Sequence, residues 1–463
     1  MKKSLLPLLA ITLATTPAFA ESLTASAPVD SGVHTTQAVH NADSSSEKNV
    51  VAKVGVRKKA DMTNSQGAVE MAEMLKEQFF RENGLHEGRS NGKCIAASIV
   101  MVEQPVAHAD FERFRILAFR NAEANALASM VKSEAASVTT MLEQRLFDDS
   151  SSDARTFDDT RSQGRTSVGA FIAKVQAVAE AKLDALLRDN GVDPHQFRAY
   201  PADRKKELAA HTLVTHTTTK ALKTLSGVTV LHSFSTEDDN GYAAVCVILG
   251  SSPKQQAIAD GFKTGKKPTI PFGKSTIEEI IPQQPEILYS SYGTRVVASS
   301  QGPALLCYGL ASYSADGDPT VRNRKRAVAY RQADVQAMDH AVRFLSQSLA
   351  VSEESKVGQS VRDTLTQAGN DMSLSEVTEK AMTDIFKGAV KINSSALLTD
   401  FSTWNKWKFQ KNGKEIVGVV KVLLIKEKVN TLSDSEKKSK TDLSSDVKSA
   451  TVYTGVKTNL DMF

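Results

Sequence analysis

Small apolar residues recur every fourth position in two distant stretches. Ala118, Ala122 and Ala126 form one series, and Ala329, Ala333, Ala337 and Ala341 form the other. This spacing places each series on one face of a helix. A stripe without bulk lets a helix lie close to a sheet or another helix. The larger neighbours Phe114, Phe119, Met130, Tyr330 and Phe344 supply buried area. Shorter apolar runs have strand length and strand-like residues: Cys94–Met101, Val228–Ser235, Tyr242–Leu249, Ala304–Ala311, Trp404–Gln410 and Ile416–Ile425.

These elements follow one order twice. Residues Ala118–Leu127 align without gaps on Ala329–Met338, at an offset of 211. Ala118/Ala329, Arg120/Arg331, Ala122/Ala333 and Ala126/Ala337 are identical, and Arg115/Arg326 and Val131/Val342 extend the register. A Cys-containing apolar run precedes each helix, further helical sequence follows it, and a strand pair closes each copy. Asn240-Gly241 and Asn412-Gly413 mark the hairpin turns. Leu231-x-x-Phe234-Ser235-Thr236 also matches Leu398-x-x-Phe401-Ser402-Thr403.

The expected fold is α+β: two tandem repeated modules, each a small, mostly antiparallel sheet covered on one face by long Ala-rich helices. Residues 61–250 form module one and 290–426 module two. Residues 251–289 contain five Pro and read as a linker or extended strap, with one helical turn at Thr276–Ile281. Asp148–Ser167 reads as a long polar loop.

The repeated helix with Ala-x-x-x-Ala, an upstream strand and a closing hairpin resembles a small α/β module of bacterial envelope proteins. That module occurs in small outer-membrane lipoproteins and in the N-terminal domain of flagellar assembly protein T. The resemblance implies a non-catalytic part of an envelope assembly and transfers no functional residues. The chain departs from it by lacking a Cys after the export signal, by its long helical inserts and by its tandem copies.

The ends add a location. Lys2 and Lys3, the apolar run Leu5–Leu13 and Ala18-Phe19-Ala20 compose a secretory signal over residues 1–20, cut after Ala20. Residues 21–60 read as a flexible leader and 427–463 as a mostly disordered polar tail. The periplasm is the expected compartment, with the cell surface and the medium as the other destinations. No apolar run is long enough for a transmembrane helix.

Composition narrows the partners. The 463 residues hold 57 Lys+Arg and 53 Asp+Glu; removing Lys2 and Lys3 with the acid-free signal, residues 1–20, lowers the formal charge from +4 to +2. Such a chain has no electrostatic reason to bind nucleic acid. Expected partners are other envelope proteins and further copies of the chain.

Candidate chemistry is sparse. The nine His include no His-Glu-x-x-His. His34 and His40 fall in the leader, and His211 and His216 are five apart, a poor fit to one helix-borne metal site. No Gly-x-Ser-x-Gly occurs, and Gly261–Lys267 lacks phosphate-loop spacing. Glu237-Asp238-Asp239 reads as an acidic turn. The three Cys lie in apolar runs, so buried thiols are expected, with a Cys94–Cys246 disulfide as the alternative in an oxidising compartment. No catalytic residue, metal site or cofactor is assigned. The sequence points to a non-enzymatic envelope assembly protein; a ligand-binding or inhibitor protein using the cleft between modules is the alternative.

Overall fold

The computed structural model describes residues 67–147, 167–178, 180–189, 192–264, 273–350, 354–368, 372–389, 401–411, 413–424, 443–446, 452–456 and 463. The signal, the leader with its two His, residues 148–166, Leu398, Asn412 and residues 427–442 lie outside the described residues.

Module one begins with α1 (Ala68–Asn83), then β1 (Gly88–Ser90) and β2 (Lys93–Met101). Asn91 and Gly92 carry positive φ (51° and 76°) between paired Ser90 and Lys93, a two-residue turn whose twist matches its strands. Helix α2 (Phe111–Phe147) carries the first alanine series. Then come α3 (Val168–Val178), α4 (Glu180–Asp189), α5 (Pro194–Ala199) and α6 (Ala202–Leu225), and the hairpin of β3 (Thr229–Glu237) and β4 (Ala243–Ser251).

Helices α7 (Pro253–Thr264), α8 (Ile277–Ile280) and α9 (Pro285–Tyr289) connect to β5 (Gly293–Ser299) and β6 (Gly302–Tyr313). Helix α10 (Pro319–Ala350) carries the second alanine series. It is followed by α11 (Glu354–Ala368), α12 (Leu374–Ala389), the hairpin of β7 (Ser402–Lys411) and β8 (Lys414–Leu424), and the short strands β9 (Leu443–Asp446) and β10 (Val452–Thr454).

The fold is α+β, with two five-stranded sheets of matching order, β1-β2-β4-β3-β10 and β5-β6-β8-β7-β9. All pairings are antiparallel except β7 with β9. Strand register supports the duplication independently of the helices. Both third strands shift register near their start, between Val230 and His232 and between Thr403 and Asn405. Beyond that shift, His232 pairs with Ile248 and Ile248 with Ala97; Asn405 pairs with Val420 and Val420 with Tyr308. Ala97 and Tyr308 stand 211 apart, the offset of the helices. This register sets Leu231 against Trp404, so the Leu-x-x-Phe-Ser-Thr match is not a structural equivalence. It sets Cys94 against Leu305 and Ala96 against Cys307.

The alanine series are buried where expected. Ala118, Ala122 and Ala126 join Cys94, Ala96, Val245 and Val247 in one core. Ala329, Ala333, Ala337 and Ala341 pack on Leu305, Cys307, Ala311 and Val417. Neither sheet is covered on one face only. Ile95, Leu231, Cys246 and Ile248 pack beneath α1 with Ala72, Phe79 and Phe80. Leu306, Tyr308, Trp407 and Phe409 join the main core, where the Tyr289 ring lies 4.8 Å from that of Phe409.

Two expected boundaries change. Residues 251–289 include three helices, and Ile258, Ala259, Ile277, Leu288 and Tyr289 are buried. Proline here opens helices: Pro253 and Pro285 stand at their first positions, where the missing N–H costs nothing. Thr276 caps α8 through a reciprocal pair of bonds with Glu279. The tail also contributes structure: β10 extends the first sheet, β9 extends the second, and Val452, Tyr453, Val456 and Phe463 are buried. Apolar residues with few companions in sequence found partners far away in the chain.

The helical inserts do not remain separate. Leu213 and Val214 of α6 share the main core with Val357 and Val361 of α11 and Val377 and Ala381 of α12. Thr217 Oγ1 and Thr378 Oγ1 are 3.1 Å apart, and His211 Nε2 lies 3.0 Å from the Gly358 carbonyl oxygen. The two repeats thus belong to one compact unit.

Candidate binding groove between the repeated helices

Charged side chains are buried where the repeats meet. Arg115 on α2 donates through Nε to Glu112 Oε2 (2.7 Å) and through Nη1 to the Tyr289 carbonyl oxygen (3.1 Å). Its guanidinium stacks on the Tyr289 ring at 3.6 Å, and Tyr289 donates its hydroxyl to Glu112 Oε1 at 2.8 Å. Lys411 at the end of β7 pairs with Glu237 at the end of β3, over the Tyr453 ring. Burial raises the Glu237 carboxyl and lowers the Lys411 ammonium, and each partner's charge opposes the other's shift. Asp238 makes the turn, accepting from the backbone N–H of Asn240 and Tyr242 at 2.9 Å. Glu237 instead belongs to the junction. Apart from Arg115 Nη2, which has no partner among the described residues, this cluster is hydrogen-bonded within itself and ties the modules together.

A second meeting place is open to solvent. A groove of about 720 Å³ runs between α2 and α10 above β6. Arg113, Ile116 and Arg120 line it from α2; Val328, Arg331, Val335, His340 and Arg343 line it from α10. Arg120 and Arg331 are equivalent positions of the repeat. Duplication therefore brings two copies of one guanidinium to one groove. The helix periodicity explains the placement: residues 113, 116 and 120 share a face, as do 328, 331 and 335.

The groove floor is a polar array in which Tyr292 and His340 are buried and Glu123 and Arg343 half-buried. Arg343 Nη1 donates to Glu123 Oε2 at 3.2 Å, joining α10 to α2. Tyr292 donates its hydroxyl to the same oxygen at 3.3 Å while stacking on Phe119, with ring centroids 5.3 Å apart. Burial raises the Glu123 carboxyl, against the opposing Arg343 charge and the Tyr292 hydrogen bond. His340 lies edge-on to Tyr292, 4.7 Å between centroids, and is only 3% exposed. Burial, then Arg343 and Arg120, push its imidazole down to about 3. Its Nδ1 is 3.8 Å from Glu123 Oε1, but a neutral ring at that distance makes no ion pair. Neither ring nitrogen has a hydrogen-bond partner among the described residues. Arg113, Arg120 and Arg331 make no close ion pair there, although the Arg120 charge reaches Glu123.

The cysteines are free and buried. Cys94 pairs with Ser251 and Cys246 with Ile99, so the two thiols stand five rungs apart on adjacent strands. They also enter different cores, on opposite sheet faces. Five rungs span about 17 Å, beyond a disulfide's Cα reach of about 7 Å. This corrects the Cys94–Cys246 alternative: the two strands adjoin, but their register holds the thiols apart. Burial raises Cys94 and Cys307 to about 12 and Cys246 further.

Other candidates separate in space. His216 is held down to about 4 by burial and by Lys220 and Arg145. No cluster of three or more His, Cys, Asp or Glu with metal-holding geometry occurs among the described residues. Gly261–Thr264 belong to α7, while residues 265–267 lie outside the described residues. Sequence reading paired Arg120 with Arg331 as a repeat match but missed their convergence. It also missed Arg113, Glu123, Tyr292, His340 and Arg343, whose relation needs the placement of both modules.

A family profile described as a domain of unknown function (DUF6844) matches residues 168–264, from α3 to α7, and includes none of the groove residues. A crystal structure of a hypothetical protein from Francisella tularensis is similar at 20% sequence identity and a TM-score of 0.46, covering 78% of this chain and 91% of that one. No curated protein matches. No helix among the described residues is long and apolar enough to cross a membrane.

Proposed function

We propose that the chain is an exported, non-enzymatic protein of the bacterial cell envelope that acts in the periplasm through protein–protein contacts. One observation carries this reading: the repeats share a solvent-facing patch as well as a buried seam. Arg113, Leu117 and Arg120 on α2 correspond to Arg324, Val328 and Arg331 on α10, and all six are exposed. Leu117 is 40% exposed and Val328 52%. Packing explains the alanines, which touch sheet and core. It does not explain an exposed apolar side chain bracketed by exposed arginines on both helices. Such a patch suits an acidic partner surface with an apolar residue at its centre, and arginine is favoured at protein contacts. The signal-like N-terminus supports export, and the resemblance to envelope modules supports assembly as the setting.

Affinity purification of the tagged, exported protein after cross-linking tests this reading. Wild type is compared with a Leu117→Asp/Arg324→Glu variant, altered outside the groove. A discrete envelope partner or self-assembly that disappears in the variant is the expected result. Identical association in both, or retention of the protein in the cytoplasm, overturns it. A second reading, ligand capture between the modules, is favoured specifically by the groove.

A further inference from the structure

The α2–α10 groove shares Arg113, Arg120, Val328 and Arg331 with the repeated patches, and it adds unmet binding capacity between them. Arg120 and Arg331 approach it from the two repeats, with Arg113 beside them and Arg343 below. Arg343 is committed to Glu123, whereas the other three guanidinium groups make no close ion pair among the described residues, Arg120 acting on Glu123 only at longer range. Asp339 is the one acid among the lining residues. Guanidinium donors in a planar fork match the oxygens of carboxylate and phosphate, and two forks from opposing walls suit a ligand with more than one acidic group.

His340 gives an independent indication. It lines the groove, is nearly fully buried, and has no hydrogen-bond partner for either ring nitrogen among the described residues. A buried polar group without a partner carries a desolvation penalty that a ligand or water oxygen would remove. Ile116, Val328 and Val335 provide an apolar strip beside the cationic groups, and Val335 is 60% exposed. The groove volume lies within the usual small-ligand range of about 300–1,000 Å³.

We infer that this groove binds a small polyanion, a molecule with phosphate or carboxylate groups held between Arg120 and Arg331 and an unreacting body resting on the apolar strip. This site shares residues with the protein-contact patch, but the two readings fail separately, because Leu117 and Arg324 do not line the groove.

Isothermal titration calorimetry on the full chain at physiological salt, with pyrophosphate, citrate and the cation spermidine as probes, tests the inference. At least one anion is expected to bind with a Kd of about 1 mM or tighter. Preference for pyrophosphate assigns phosphoryl groups, and preference for citrate assigns carboxylates. The Arg120→Gln/Arg331→Gln double variant is expected to weaken binding by about tenfold or more, whereas Leu117→Ser/Arg324→Gln, which places no acid beside Arg113 or Arg120, retains it. Both arginines are exposed, and circular dichroism checks that the double variant stays folded. The His340 ring signals, assigned by their loss in His340→Phe, are expected to shift on titration. Failure of both anions to bind at about 10 mM, equal binding by the double variant, or equal binding of spermidine overturns the proposal.

Discussion

Gly309 on β6 lies directly beneath Ala333 on α10: a Cβ at Gly309 would overlap the Ala333 carbonyl oxygen and stand 2.8 Å from the Ala337 amide nitrogen. The obstacle is backbone, so no rotamer change relieves it. The alanine seam and this glycine together allow the helix to seat on the sheet. Gly309→Ala is therefore expected to destabilise the protein by about 1–3 kcal/mol or more. Gly358, inside α11, would meet nothing closer than His211 at 3.8 Å. Gly358→Ala is expected to stabilise by about 0.5–1 kcal/mol. Urea unfolding of both variants checks the opposite signs of one substitution.

The alanine series made this seam legible because period and residue size survive in sequence. Asn240-Gly241 likewise marks a real hairpin, and Asn91-Gly92 carries the same signal at a turn with one very short strand. Proline in residues 251–289 misled because a breaker inside a helix is an opener at its first turn, as Pro253 and Pro285 show. Tyr453 and Phe463 are compatible in sequence with a short docked segment, but their isolation favours a frayed tail; the structure buries both. The groove was least legible. Exposed arginines have no apolar periodicity, and their convergence depends on how modules separated by 211 positions pack.

The Glu237–Lys411 pair gives a prediction about module cohesion. Their side chains are 12% and 7% exposed, respectively. Lys411→Met leaves the Glu237 carboxylate facing Glu112 without its cation. The expected loss is about 3–5 kcal/mol, the usual result of breaking a buried pair by removing one partner. Glu237→Gln/Lys411→Met removes both charges and is expected to recover most of that loss. A double-mutant cycle by denaturant unfolding measures the coupling, and additive losses would show the pair to be energetically independent.

Thiol chemistry tests the register of the first sheet. Cys94, Cys246 and Cys307 are buried and unpaired, with thiols pushed above their ordinary range by burial. Protein recovered from an oxidising compartment is expected to react with three equivalents of a thiol reagent after denaturation, and only slowly while folded. Its mass after alkylation under non-reducing denaturing conditions is the check. A Cys94–Cys246 bridge would require the β2–β4 pairing to slide by several residues.

His340 predicts a pH dependence with a definite sign. Tyr292 lies against its ring, Glu123 stands beside it, and burial with the Arg343 and Arg120 charges holds its pKa near 3. The folded value is below the unfolded value of about 6.5. The native state therefore binds fewer protons between these values. The stabilising contribution is present above the unfolded pKa and is lost as pH falls towards the folded one. From pH 7 to 5 the loss from this residue is expected to be about 2 kcal/mol. Glu123 acts in the opposite direction, because burial raises its carboxyl and its ionisation penalty shrinks on acidification. His340→Phe keeps a planar ring against Tyr292 and removes the titration. Its stability should fall less than that of the wild type over this interval, as read from urea midpoints in a buffer without polyanions. Parallel curves would mean that His340 titrates normally and that the groove floor opens to water more than its burial indicates.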